Sequence, residues 1–173
     1  MIFHFQIISQ EIKNFRLEVE LSKSHTFFDF HSIIQKSLGY ESHQLASFFI
    51  SNQRGLKEKE ISMLDLGMNG GVYLIMQKTN LSDLIQDKKQ KMLYTFDFLN
   101  DRSLLIELTD IIMEKSLSEP LVTLKLGDTP QQVLGEDVDV IDQELLDIND
   151  EKEYMLFGEL EDYTEIFGEM DDF

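Results

Sequence analysis

A chain of 173 residues, 42% of them apolar and 13 of them Phe, can close one core and carry an appendage, and its lack of Cys excludes disulfides, thiolate metal sites and cysteine nucleophiles. The net charge of −18 is lopsided: residues 1–135 hold 17 acids and 14 bases, whereas residues 136–173 hold 16 acids and Lys152 alone. The chain therefore reads as an ordinary domain over 1–135 and an acidic tail over 136–173, which argues against direct nucleic-acid binding and for a protein partner with a basic surface.

The opening residues Ile2 to Ile8 alternate, with Phe3, Phe5 and Ile7 on one face and His4 and Gln6 on the other. They lack the basic leader of a secretory signal, and no apolar run approaches the ~18 residues of a membrane span, so a cytoplasmic protein is expected. Phe15, Leu17, Val19 and Leu21 alternate against Arg16, Glu18 and Glu20. Two such runs, with Ser9 to Asn14 as the turn, predict an antiparallel pair. Thr26 and Asp29 have capping spacing, Phe27, Phe30, Ile34 and Leu38 recur at helical spacing, and Gly39 suits the exit. Together they predict a helix. Leu45 to Ile50 reads as a buried strand closed by a polar turn over Ser51 to Gly55, and Gly70-Gly71 launches a short strand from Val72 to Met76. Asn80 to Asp83 caps a single helical turn.

Met92, Tyr94, Phe96 and Phe98 alternate up to Asn100-Asp101, and Leu104, Ile106 and Leu108 alternate away, which predicts a second hairpin. Pro120 opens a last strand with Val122, Leu124 and Leu126 in register. Strand pairs around one principal helix make the body an α+β fold with a mostly antiparallel or mixed sheet.

The tail is more than a solvating segment, because its 16 acids stand beside 16 apolar residues. Val138, Ile141, Leu145 and Ile148 lie at helical spacing, as do Leu156, Leu160, Tyr163, Phe167 and Met170. A short repeat runs through it: Phe157 to Tyr163 recurs as Phe167 to Phe173. Leu156, Phe157, Leu160, Tyr163, Phe167 and Met170 are the candidate partner-binding residues, to be laid in a groove while the carboxylates meet a basic rim. The same spacing would also serve a stripe that completes its own domain's core.

Motifs for chemistry are missing. His4, His25, His31 and His43 form no metal-binding pair; His4 and His31 lie beside apolar faces as structural histidines, and His25 reads as a solvated loop residue. There is no nucleophile elbow or phosphate loop. Asp137, Asp139 and Asp142 lack the glycine and closing glutamate of a calcium loop. Asp97 and Asp101 flank the hairpin tip and could converge on a proton-transfer role, although turn capping accounts for them more simply. Nothing calls for a cofactor or metal.

The stretch Asp29-Phe30-His31 with Ile34-Gln35 and Leu38-Gly39-Tyr40, then Leu81 to Leu84, Tyr94 to Phe98 leading to Asp101, and Pro120 followed by Gly127 and Gly135-Glu136-Asp137 resembles the plasmid pRiA4b ORF-3-like domain over roughly residues 1–137. The resemblance implies a mixed α+β domain with a packed helix, found in bacterial and plasmid proteins, some of them passengers of insertion elements. It carries no established activity. Relatives have His-Leu-His where this chain has Gln44-Leu45-Ala46, and Asp-Phe-Gly-Asp before a Trp and a His where it has Asp97 to Leu105. Any site in those relatives leaves only Asp97, Asp101 and His43 here.

Three readings compete. The first is a non-enzymatic interaction or adaptor module acting through its tail. The second is a nucleic-acid mimic whose carboxylates imitate phosphates and block a DNA-binding protein. The third is a degenerate enzyme centred on Asp97, Asp101 and His43.

Overall fold

The computed structural model describes residues 1–65, 67 and 74–135. The chain divides into two units, Met1–Val133 and Leu134–Phe173. Of the second, only Leu134 and Gly135 are described, so the predicted tail helices, the tail repeat and the six candidate partner-binding residues lie outside the described residues. So does the Gly70-Gly71 turn.

Met1–Val133 is an α+β fold, with strands β1 (Ile2–Ser9) and β2 (Arg16–Ser22), helix α1 (Phe27–Leu38), strands β3 (Ser47–Ser51), β4 (Lys57–Ser62) and β5 (Leu74–Ile75), the short helix α2 (Leu81–Leu84), and strands β6 (Lys91–Asp97), β7 (Arg102–Ile112) and β8 (Leu121–Leu126). They form one eight-stranded sheet in the order β5-β4-β3-β6-β7-β1-β2-β8. Only the β4–β5 pairing is parallel among the described strands; the rest are antiparallel, as hairpin connections allow.

Alternation decides what each strand buries. Phe3, Phe5 and Ile7 of β1 and Leu17, Val19 and Leu21 of β2 face inward, joined by Met92, Tyr94 and Phe96 of β6 and by Leu104, Ile106 and Leu108 of β7. Against this face lies α1. The Thr26 hydroxyl accepts from the Asp29 backbone N–H at 3.1 Å, while the Asp29 carboxylate accepts from the Thr26 N–H at 2.8 Å, which closes a capping box. Gly39 takes the left-handed exit, with φ of 67°. Phe30 is the keystone of the packing: its ring stacks on Phe5 at 4.6 Å and on Phe48 at 5.1 Å.

The structure departs from expectation at several places. β4 has no counterpart among the predicted strands, because Lys57-Glu-Lys-Glu60 offers no apolar alternation; only Ile61 is buried in it. β3 starts at Ser47, and Leu45 is exposed instead of opening the strand. Phe98 lies past the end of β6 in the turn and is exposed. β8 forms as expected, yet Leu121, Val122 and Leu126 of this edge strand are exposed.

Gly127 ends β8 at a position that admits no side chain. Its φ is +75°, and a Cβ there would run into the backbone of Asn14 and Phe15 in the β1–β2 turn. Gly127→Ala is expected to cost about 2 kcal/mol or more, from left-handed strain plus displacement of that turn. Urea denaturation checks this; an unchanged midpoint would show that the turn and β8 are not held together.

Candidate functional site

Beyond the packed core, two places stand out, a polar node and one face of the sheet. The first is a node around Arg102, the first residue of β7. Arg102 shares parity with Leu104, Ile106 and Leu108, so its side chain turns inward, and it is 7% exposed. A buried guanidinium must find acceptors for its donors, and here it finds them on three separate stretches of chain. Glu11, in the β1–β2 turn, takes a two-pronged bond: Nε donates to Oε1 at 2.6 Å and Nη2 to Oε2 at 2.7 Å. Asp97, ending β6, accepts from Nη1 at 3.4 Å. The carbonyls of Gln131 and Gln132 accept at 2.7 and 3.4 Å. The guanidinium carbon also lies 4.9 Å from the Phe96 ring centroid.

The stretch 130–132 is held from two further directions. The Tyr40 hydroxyl donates to the Pro130 carbonyl at 2.7 Å. The Gln132 amide brackets Glu41, accepting its backbone N–H at 2.6 Å and donating to its carbonyl at 2.9 Å. Residues 130–132 are thus fastened to the rest of the Met1–Val133 unit.

The electrostatics reflect these bonds. The hydrogen bond from Arg102 holds the Glu11 carboxyl below its ordinary range, against a smaller opposing push from burial, and the same bond raises Arg102. Burial pushes the Asp97 carboxyl up, but hydrogen bonds from Asn100 and Arg102 outweigh it and leave it lowered. Burial raises the Tyr40 hydroxyl, so it stays protonated and can donate.

Asp97 spends its carboxylate on the turn, accepting from the Asn100 backbone at 3.2 Å and its side chain at 2.8 Å. Asp101 has a φ of 48° and pairs with Lys57 of β4 at 3.3 Å. His43 is exposed between α1 and β3 and pairs with Glu41 at 3.2 Å. The hairpin tip brings Asp97 and Asp101 close in sequence, but each bonds to a different partner, and His43 bonds to neither. His4 lies between Glu18 and Glu20, 3.3 Å from each. His25 is more engaged than a solvated loop residue: its Nδ1 accepts from the Ser22 N–H at 3.0 Å and its Nε2 lies 3.3 Å from the Ser118 carbonyl oxygen.

Arg102 is not among the candidates picked out by sequence, although a signal for it exists: a lone Arg at the inward parity of an otherwise apolar strand. Glu11, Gln131 and Gln132 sit in irregular chain and carry no such signal.

The second place is the sheet face opposite α1. Phe49, Leu93, Leu105 and Ile8 stand opposite one another on β3, β6, β7 and β1, forming an apolar row across four strands. Beside it runs a groove of about 520 Å3 whose rim includes Arg54, Lys57, Lys91, Asp101 and Glu107. Lys57 also lies 4.4 Å over the Phe49 ring. Arg54 and Lys91 pair with no carboxylate among the described residues. No group of three or more His, Asp or Glu side chains that could hold a metal occurs among the described residues, and none of their helices is long and apolar enough to cross a membrane.

A family model, plasmid pRiA4b ORF-3-like protein, matches residues 4–168. That range runs past residue 137, where the resemblance read from the sequence stops, and takes in most of the acidic segment. No curated protein matches the chain. A crystal structure of a protein of unknown function from Methanosarcina mazei Go1 is similar, with a TM-score of 0.57 and 24% identity, covering 72% of this chain and 68% of that one. At that identity the likeness supports the fold alone.

Proposed function

The chain belongs to the plasmid pRiA4b ORF-3-like family, and from that footing we propose that it acts without catalysis, as an interaction module in which residues 136–173 bind a protein with a basic surface. The observation that carries this reading is the composition of the segment that follows residues 130–132, which Arg102, Tyr40 and the Gln132–Glu41 bracket fasten within the body. Residues 136–173 carry 16 acids, one Lys and 16 apolar residues, a composition suited to docking apolar side chains while carboxylates meet a basic rim. The family model's range, residues 4–168, includes most of this segment. The carboxylates Asp97 and Asp101 are occupied in turn and ion-pair bonds, which gives the enzymatic reading little to work with.

Capture from a cell extract with two baits, the full chain and a chain ending at residue 135, tests the proposal. The full chain is expected to retain proteins that the shortened bait does not, and to release them as salt rises. Identical retention by both baits would refute the reading.

A further inference from the structure

Beneath α1, three polar side chains interrupt an otherwise apolar contact. His31 and Gln35 are one helical turn apart and only 3% and 5% exposed, and Tyr94 of β6 is fully buried. Gln35 Nε2 donates to the Tyr94 hydroxyl oxygen at 2.6 Å, and that hydroxyl lies 2.8 Å from His31 Nδ1. The hydroxyl has one proton to give. With Gln35 donating to its oxygen, His31 Nδ1 is the one acceptor within reach of that proton, and pointing the proton there leaves the hydroxyl satisfied. Nδ1 is then the acceptor, and the neutral ring carries its hydrogen on Nε2. One atom is left over: Gln35 Oε1 has no partner, the sole such buried side-chain atom among the described residues. A buried carbonyl without a donor is uncommon enough to need a reason.

We propose that His31, Tyr94 and Gln35 form a reversible hydrogen-bond relay with two registers, switched by one proton at His31 and a half-turn of the Gln35 amide. In the neutral register the bonds run from Gln35 to Tyr94 to His31. When His31 takes a proton on Nδ1 it becomes a donor to the Tyr94 oxygen. The hydroxyl hydrogen then needs a new acceptor, and the amide half-turn supplies the idle Oε1. The bonds now run from His31 to Tyr94 to Gln35. No covalent bond other than the new N–H changes, and the relay carries one added positive charge.

The surroundings leave the triad to itself. On α1 its neighbour is Phe28, whose ring lies 5.8 Å from that of His31; β3 contributes Phe48, 4.9 Å from Tyr94. Outside the triad, the titratable group that acts on Tyr94 is Tyr40, which burial keeps protonated. Among the described residues no carboxylate or cation bonds to any of the three. Burial lowers His31 from 6.5 to about 4, so the neutral register holds at neutral pH. An unfolded chain takes this proton near pH 6.5 and the folded one only near 4. Folding stability is therefore full above that window and declines as pH falls through it.

Nitrogen-resolved magnetic resonance of the full chain tests the relay. At pH 7 His31 is expected as the Nε2–H tautomer, and the Gln35 side-chain amide signals are expected to shift with the same midpoint as the His31 ring on acidification. Gln35→Glu offers Tyr94 a permanent acceptor and is expected to raise the His31 midpoint by about two units or more. Gln35→Leu is expected to lower it. An Nδ1–H tautomer at pH 7, Gln35 signals indifferent to the His31 titration, or a His31 midpoint unmoved by Gln35→Glu would each overturn the proposal.

Discussion

Arg102→Ala is expected to destabilise the fold by about 3 kcal/mol, the lower end of what removing one partner of a buried ion pair costs. The lower end applies because Glu11 is 40% exposed in its side chain and regains water when released. The loss has four parts: the two-pronged bond to Glu11, the bond to Asp97, the two carbonyls of Gln131 and Gln132, and contact with Phe96. Arg102→Lys should recover less than half of it, because an ammonium cannot span two carboxylate oxygens and two carbonyls at once. The urea midpoints of the two variants measure this. The same clamp has a pH signature. Glu11 is lowered below its ordinary 4.5, so its contribution is complete above that value and is lost as pH falls through the lowered one. Arg102→Ala should remove that part of the acid dependence.

Phe30→Ala is expected to cost about 3–5 kcal/mol, the range for emptying a buried aromatic site. Phe30 is fully buried and stacks on one ring from β1 and one from β3. Those strands are separated by β6 and β7 in the sheet, so its ring bridges parts of the core that no hydrogen bond joins directly. Phe30→Leu keeps much of the volume and should cost about 1–2 kcal/mol. Thermal unfolding followed by circular dichroism separates the two. Equal losses for both would mean that shape, not volume, sets the packing of α1.

The legible parts of the fold are those where one residue choice decides one geometry. Period-two runs such as Leu17-Val19-Leu21 and Leu104-Ile106-Leu108 mark the two hairpins. Thr26, Asp29 and Gly39 mark the limits of α1. β4 is hidden because a strand near the sheet edge can be built from Lys57-Glu-Lys-Glu60, with backbone pairing and Ile61 as its only buried contribution. The Arg102 node is half legible. Parity flags Arg102 as an inward charge, but its acceptors come from Glu11 and Gln131, 91 and 29 residues away, and no local pattern links such positions. His31 is the structural histidine that its apolar face suggests; that Gln35 and Tyr94 complete it depends on how α1 crosses β6, which the sequence of neither element states.

The central claim is that apolar residues in the acidic segment make the contact with a partner. A titration calorimetry series on a partner captured by the full chain tests it, comparing that chain with a variant in which Leu156, Phe157, Leu160, Tyr163, Phe167 and Met170 are Ser and every carboxylate is kept. The account predicts a Kd at least ~100-fold weaker for the variant, as loss of several anchoring side chains entails. A Kd that stays the same would contradict it.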